Sequence, residues 1–340
     1  MRTSVIFPLA ALVGVSASIS IPHTRNFVRG QDEKLVTPEE VDLMDLYASY
    51  TASAPCNNGT AIGNPVTCYK NCERVEQDGA IVVGSYLGKT TEFAAYMALV
   101  ESRKQIIWVG RGSATPKNWD TNLKTRLIPS DLVDGAKIHT GFSTAWDEIS
   151  RDVFTTLEEQ VSKHPDYDII ITGGSLGGAV ATIAAAHIRE AGYQADLYTY
   201  GSPRIGNGVL VDFITQQPGK SYRVTHRHDL VPRIPTPNVL WWPDWPQYRH
   251  VSPEYWLQGE PSDPNNWPIE DIKICEGNWS RECIASPSNP VDLDFSGSGN
   301  DHLNYFGSLT CWNDEKGPVD LAPPKDTIET LGSILGEHPS

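Results

Sequence analysis

The sequence predicts an α/β fold, and three observations predict it. Past an N-terminal lead, apolar runs of strand length alternate with segments of helical periodicity. One join, YDIIITGGSLGGAVAT, passes from an apolar run through paired glycines into a run of small residues, the composition of a tight strand-to-helix turn. No internal repeat interrupts the alternation, and 340 residues are enough for one large core.

Taken in chain order, the first residues read as an export signal. Met1-Arg2 is a short positive region, Val5 to Val15 is apolar, and Ser16-Ala17-Ser18 offers small residues for cleavage. Pro8 interrupts the apolar run, and no other segment approaches spanning length, so no integral membrane segment is expected. The expected organisation is a signal peptide over 1–18, a pro-segment over 19–33, one folded domain over 34–312 and a peripheral tail over 313–340. Within the domain, RKQIIWVGRGS predicts a buried strand ending in a glycine-rich turn. TAWDEISRDVFTTLEEQVSKHP predicts one amphipathic helix, because Trp146, Ile149, Val153, Leu157 and Val161 recur three or four apart. YDIIIT is the next strand, and an Ala- and Gly-rich helix follows its turn. ADLYTYGSPRIGN and SYRVTHRHDLVPRIP are two further strand-then-loop units. After Pro235, Pro, Trp and Asn accumulate and long loops are expected.

Composition narrows the function. A net charge of -15 opposes nucleic acid and charge-driven docking on anionic lipid, so no nucleic-acid partner is expected. Six cysteines suit an oxidising compartment, which agrees with a secreted, extracellular protein. Cys68 and Cys72 form a local pair, Cys275 and Cys283 another, and Cys56 is left for Cys311. The spacing matches no zinc pattern. The sequons at Asn58 and Asn278 are compatible with glycosylated surface loops.

Ser175 sits at the glycine turn. A P-loop would need Lys where Ala179 stands, and a dinucleotide fingerprint would need glycine where Ser175 stands. Gly173-Gly174-Ser175-Leu176-Gly177 instead matches G-x-S-x-G, placed after an apolar strand and before a helix. That context marks a nucleophile, with the helix N-terminus adding partial positive charge beside a developing oxyanion. An acid and a base should follow in that order. Asp229 lies just beyond the strand SYRVTH, whereas Asp196 precedes its strand and Asp212 falls in a helix. Of the later histidines, His338 lies in the tail and His250 returns too soon. His302 precedes an apolar segment tied down by Cys311, and is favoured as base. His226 and His228 read as polar loop residues. The oxyanion donors should be the N–H of Leu176 and a group from the earlier loop VGRGSAT, at Ser113, where a plain turn is an equal reading.

These residues resemble the filamentous-fungal class 3 lipases, α/β-hydrolases that also include fungal feruloyl esterases. The resemblance rests on GRGSATPKNWDTNL, HTGFSTAW, HPDYDIIITGGSLGGAVAT, YTYGSPRIGN, YRVTHRHDLVPRIP, SPEYW and HLNYFG, in family order from about Val41 to Trp312. It implies the α/β-hydrolase fold, a mostly parallel central sheet flanked by helices in one domain. It implies Ser175 as nucleophile, Asp229 as acid, His302 as base, and Ser113 and Leu176 as oxyanion donors. It also supports the Cys56–Cys311 and Cys68–Cys72 pairs, while Cys275–Cys283 resembles a bond of the esterase-like and partial-glyceride members. Gly174 departs from the histidine usual before the nucleophile. The resemblance implies a secreted lipase acting on acylglycerols, an ester substrate met at an oil–water interface, with no cofactor and no metal; a monomer is expected. The acidic stretch VDLDFSGSGND lacks the spacing of a calcium loop.

The resemblance also places a lid around SATPKNWDTNL, where Thr115 and Pro116 form a helix cap and first turn. Trp119 is its one large apolar residue, a meagre face for docking on oil. Trp241, Trp242 and Trp245 either supplement it or pack a Pro-rich loop. The polar lid keeps a feruloyl-type or other soluble-ester carboxylesterase open as an alternative. A hydrolase-fold binding protein without activity is the second alternative, weakened by the presence of Ser175, Asp229 and His302.

Overall fold

Thr37-Pro38-Glu39-Glu40 starts a helix by local chemistry. Thr37 Oγ1 accepts from Glu40 N at 3.2 Å, Glu40 Oε2 accepts from Thr37 N at 2.9 Å, and Pro38 needs no donor in the first turn. This helix, α1 (Pro38–Asn57), opens a computed structural model that describes residues 35–70, 72–236, 247–259, 267–289 and 301–311. The expected signal peptide, pro-segment and tail, together with Trp241 and Trp242, lie outside the described residues.

The remaining elements follow in order. They are α2 (Glu73–Asp78), β1 (Ile81–Leu87), β2 (Ala94–Val100), β3 (Gln105–Gly110), α3 (Pro116–Leu123), β4 (Leu127–Pro129) and β5 (Lys137–His139). Then come α4 (Thr140–Asp147), α5 (Ser150–Lys163), β6 (Asp168–Gly174), α6 (Leu176–Glu190), β7 (Ala195–Tyr200), α7 (Gly208–Gln216), β8 (Ser221–His226), β9 (Glu254–Leu257) and β10 (Ile272–Cys275). Among the described residues, eight strands form the main sheet in the order β1-β2-β3-β6-β7-β8-β9-β10. The run from β3 to β9 is parallel, and both ends are antiparallel. Parallel strands must be covered on both faces. One face buries Trp108, Phe142, Trp146, Leu157 and the alanines of α6, and the other buries Met44, Tyr47, Tyr198, Tyr222 and Tyr305. No described helix is long and apolar enough to cross a membrane.

The single helix expected over Thr144 to Pro165 is two, α4 and α5. The chain bends because the Glu148 carboxylate is held elsewhere. It accepts from Thr90 N at 2.8 Å, from Thr91 N at 3.1 Å, and from both threonine hydroxyls. Periodicity survives the bend, since Trp146, Ile149, Val153 and Leu157 are all buried.

Helix α6 is the central wall. Its alanines and glycines let it lie against β3 and β6 at backbone distance. A Cβ at Gly177 would stand 2.2 Å from Gly110 O, and one at Gly173 would stand 2.5 Å from Gly177 O. Those are main-chain atoms and cannot rotate away. Gly177→Ala is therefore expected to cost about 3 kcal/mol or more and to disorder the turn that holds Ser175. Thermal denaturation checks it, and an unchanged melting temperature would contradict the contact.

Candidate active site

Three adjacent strands, β6, β7 and β8, end side by side, with Gly174 opposite Tyr200 and Tyr200 opposite Val224. Ser175 leaves β6 at φ 53, ψ -128 and starts α6. A non-glycine residue at positive φ stores roughly 1–3 kcal/mol of strain, which the surrounding fold must maintain. Here Ser175 N donates to Tyr200 O at 2.8 Å and its carbonyl accepts from Ala179 N at 3.2 Å. The serine is half-buried. Position 174, where the resemblance leads one to expect histidine, is tightly packed: a Cβ on Gly174 would stand 3.0 Å from Thr51 Cγ2 and 3.3 Å from Leu309 Cδ1. Thr51 is itself held by Thr172, hydroxyl to hydroxyl at 2.9 Å.

Asp229 follows β8 in a turn closed by its own N–H on His226 O. Its carboxylate is almost wholly buried, 1% exposed, so its charge needs donors. Oδ1 accepts from Val231 N at 2.8 Å, and Oδ2 accepts from His302 Nδ1 at 2.9 Å and from Tyr305 Oη at 2.5 Å. The Nδ1–H bond sets the imidazole tautomer and leaves Nε2 as the basic nitrogen. His302 is held in turn by the Leu309 N–H on Leu303 O and by the Cys56–Cys311 bond two residues beyond.

Gly201 brings the serine and the Asp–His pair to one place. Its preceding carbonyl receives Ser175 N, and a Cβ on it would stand 2.8 Å from Asp229 Oδ2 and 3.0 Å from His302 Nδ1. Its φ of +58 is a second reason for glycine there.

The loop after β3 runs beside the serine, where a Cβ on Gly112 would lie 3.7 Å from Ser175 Cβ. Ser113 is buried, and its Oγ accepts from Asn122 Nδ2 at 3.0 Å. A hydroxyl that accepts from an amide keeps its own hydrogen to donate. His139 Nε2 donates to the backbone carbonyl of Asn122 at 3.3 Å, while His139 Nδ1 accepts from Phe142 N at 3.2 Å. Burial pushes the His139 imidazole down to about 3, so this strut stays neutral at working pH. Leu176 opens α6, where a helix leaves its N–H without an intrahelical acceptor.

The other candidates lie elsewhere. His250 is buried with Nε2 on Pro232 O at 2.6 Å, His226 Nδ1 bonds Asp301 O, and His228 Nδ1 bonds Asn289 Oδ1. Asp196 accepts from Lys220 N at the start of β7, and Asp212 on α7 accepts from Asn278 Nδ2 at 2.7 Å. The segment expected as a lid is α3, capped by Thr115 as its sequence indicates. Trp119 turns inward at 6% exposed, while Pro116, Lys117, Asp120 and Lys124 are exposed. Asn118 is buried and pins this helix to Thr91 O, Arg111, Ala114 N and Thr115 N. Asn58 is half-buried at the end of α1, and Asn278 is half-buried after β10. The three disulfides join Cys56 to Cys311, Cys68 to Cys72 and Cys275 to Cys283.

A serine at a strained strand-to-helix turn, followed in chain order by a buried carboxylate and a histidine bonded to it, on a mostly parallel sheet, defines the α/β-hydrolase class. Within that class, a family model described as lipase (class 3) matches residues 107–239. The chain is 40% identical over 310 residues to secreted mono- and diacylglycerol lipase 1 of Fusarium solani, covering 90% of this chain and 89% of that one. It is 28% identical to a lipase of Rhizomucor miehei, covering 82% and 71%. The crystal structure of a mono- and diacylglycerol lipase from Aspergillus oryzae superposes with a TM-score of 0.70 at 32% identity, covering 81% of this chain and 98% of that one. The chain belongs to the class 3 lipase family of filamentous fungi.

Proposed function

We propose that the protein is a secreted lipase that hydrolyses the ester bonds of acylglycerols, with Ser175 as nucleophile. The observation that carries this reading is the Asp229–His302 bond at 2.9 Å beneath the strained Ser175 turn. His302 Nε2 takes the Ser175 proton as Oγ attacks the ester carbonyl, and then delivers it to the leaving glycerol oxygen. Asp229 stabilises the imidazolium without itself taking the proton. The Leu176 N–H and the Ser113 N–H and hydroxyl receive the oxyanion. Water, deprotonated by His302, releases the fatty acid from the acyl-serine.

The relatives named for mono- and diacylglycerols support partial glycerides as substrates. The exposed polar face of α3 favours a second reading, hydrolysis of soluble esters such as feruloyl esters, because docking on oil calls for an apolar face. Acid release in a pH-stat from emulsified di- and triacylglycerol, beside a dissolved feruloyl ester, separates the two. Silence on both emulsions from folded protein would overturn the lipase reading. In the same assay Ser113→Ala should lower kcat by roughly 10²–10³-fold with KM little changed, since its hydroxyl acts on the transition state.

A further inference from the structure

Asp229 Oδ2 carries one donor more than a Ser–His–Asp relay uses. His302 Nδ1 and Tyr305 Oη both donate to that single oxygen, at 2.9 and 2.5 Å, while Val231 N occupies Oδ1. Tyr305 is fully buried and fixed on every side. Its N–H bonds Gly307 O at 2.7 Å, and its ring stands edge-on to Tyr200 and to His226. Gly201 closes the cluster from below, since a Cβ there would come within 3.0 Å of the Tyr305 hydroxyl as well as of the Asp–His bond.

We propose that Tyr305 is a positioning residue for the hydrolysis assigned above, and that its hydroxyl takes a share of the Asp229 charge and so limits how strongly Asp229 supports the His302 imidazolium. The inference rests on the Ser175–His302–Asp229 reading. Two donors on one carboxylate oxygen divide its charge between them, and in a dry site that division is strong. Burial, and behind it the charge of Asp229, push the Tyr305 hydroxyl well above its usual range, so it remains a donor at working pH. The other titratable groups around the cluster are engaged. Asp301 lies 3.5 Å from Arg227 and accepts from His228 N at 3.0 Å. His226 is kept neutral chiefly by burial, and the Tyr200 hydroxyl donates to Met44 O.

Tyr305→Phe keeps the ring and removes the hydroxyl. With His302 then the one side-chain donor named on Oδ2, the imidazolium is better stabilised and gives up its proton later as pH rises. The acid limb of the kcat/KM profile on a soluble nitrophenyl ester should move up by about one pH unit, the scale of one hydrogen bond to a charged acceptor. 3-Fluorotyrosine installed at position 305 has nearly the same shape and a more acidic hydroxyl, so it donates more strongly. That variant should move the limb down, and it decides the matter if Tyr305→Phe fails to fold. An acid limb unmoved by the hydroxyl's removal or strengthening would overturn the proposal, whatever happens to stability, because packing alone does not move it. Failure of the wild-type enzyme to hydrolyse any ester would sink the lipase reading and this proposal together, a result distinct from a normal profile that the variants leave in place.

Discussion

Ser175→Ala is expected to lower acid release from an acylglycerol emulsion by about 10⁵-fold while leaving the melting temperature nearly unchanged. The size follows from the division of labour at the site. The oxyanion donors and the substrate pocket remain, so a small residual acceleration persists, but no acyl-enzyme can form. The stability follows from the backbone. Alanine keeps a Cβ in the same positive-φ conformation, so the strain at φ 53 is retained. Ser175→Gly provides the control, because glycine adopts that conformation freely. It should be as inactive as the alanine variant and more stable by about 1 kcal/mol. Calorimetry and the pH-stat read both effects. Activity above about 1% of wild type in either variant would require a different nucleophile, since removing a true one costs far more.

Replacing Cys56 and Cys311 together by serine should produce the largest stability loss. The bond closes a loop with a sequence separation of 255, and the chain-entropy model assigns such a loop about 5 kcal/mol. For a domain of this size that corresponds to a fall in melting temperature of about 8 °C. The bond also joins the end of α1 to the segment that carries His302 and Tyr305. Loss of activity on heating should therefore precede the loss of helical signal by circular dichroism. Coincident losses would show that the segment is held by its packing against α1 and the sheet without help from the bond. A stability change under about 1 kcal/mol would show that the unfolded chain is not the state the bond constrains.

Much of this arrangement was legible because it is written in neighbouring residues. Paired glycines around Ser175 announce a close helix–strand approach, and the structure places backbone atoms where their Cβ atoms would be. Thr115-Pro116 announces α3, and its capping bonds form. The order Ser175, Asp229, His302 follows from strand ends that lie at one edge of a parallel sheet. The helix break at Glu148 was not legible, because its cause is a pair of threonines 57 and 58 residues away. Asn122 and Tyr305 were missed for the same reason. Tyr305 did carry one signal, its place three residues after His302, but nothing nearby shows that both reach the same carboxylate oxygen.

By itself, the sequence determined the α/β alternation, the strand-to-helix turn at Ser175, the choice of Asp229 and His302 as its proposed partners, and the cysteine pairs. Each of these depends on periodicity, turn chemistry or order along the chain, which act over a few residues or by simple succession. The sequence favoured His302 over His250, and the tertiary structure decided what fills the space at Gly174 and which further donors share the buried charge of Asp229. Those last choices depend on side chains brought together from distant positions, as Tyr305 is, 76 positions from Asp229. A buried carboxylate can be kept ionised only by the groups that packing delivers to it.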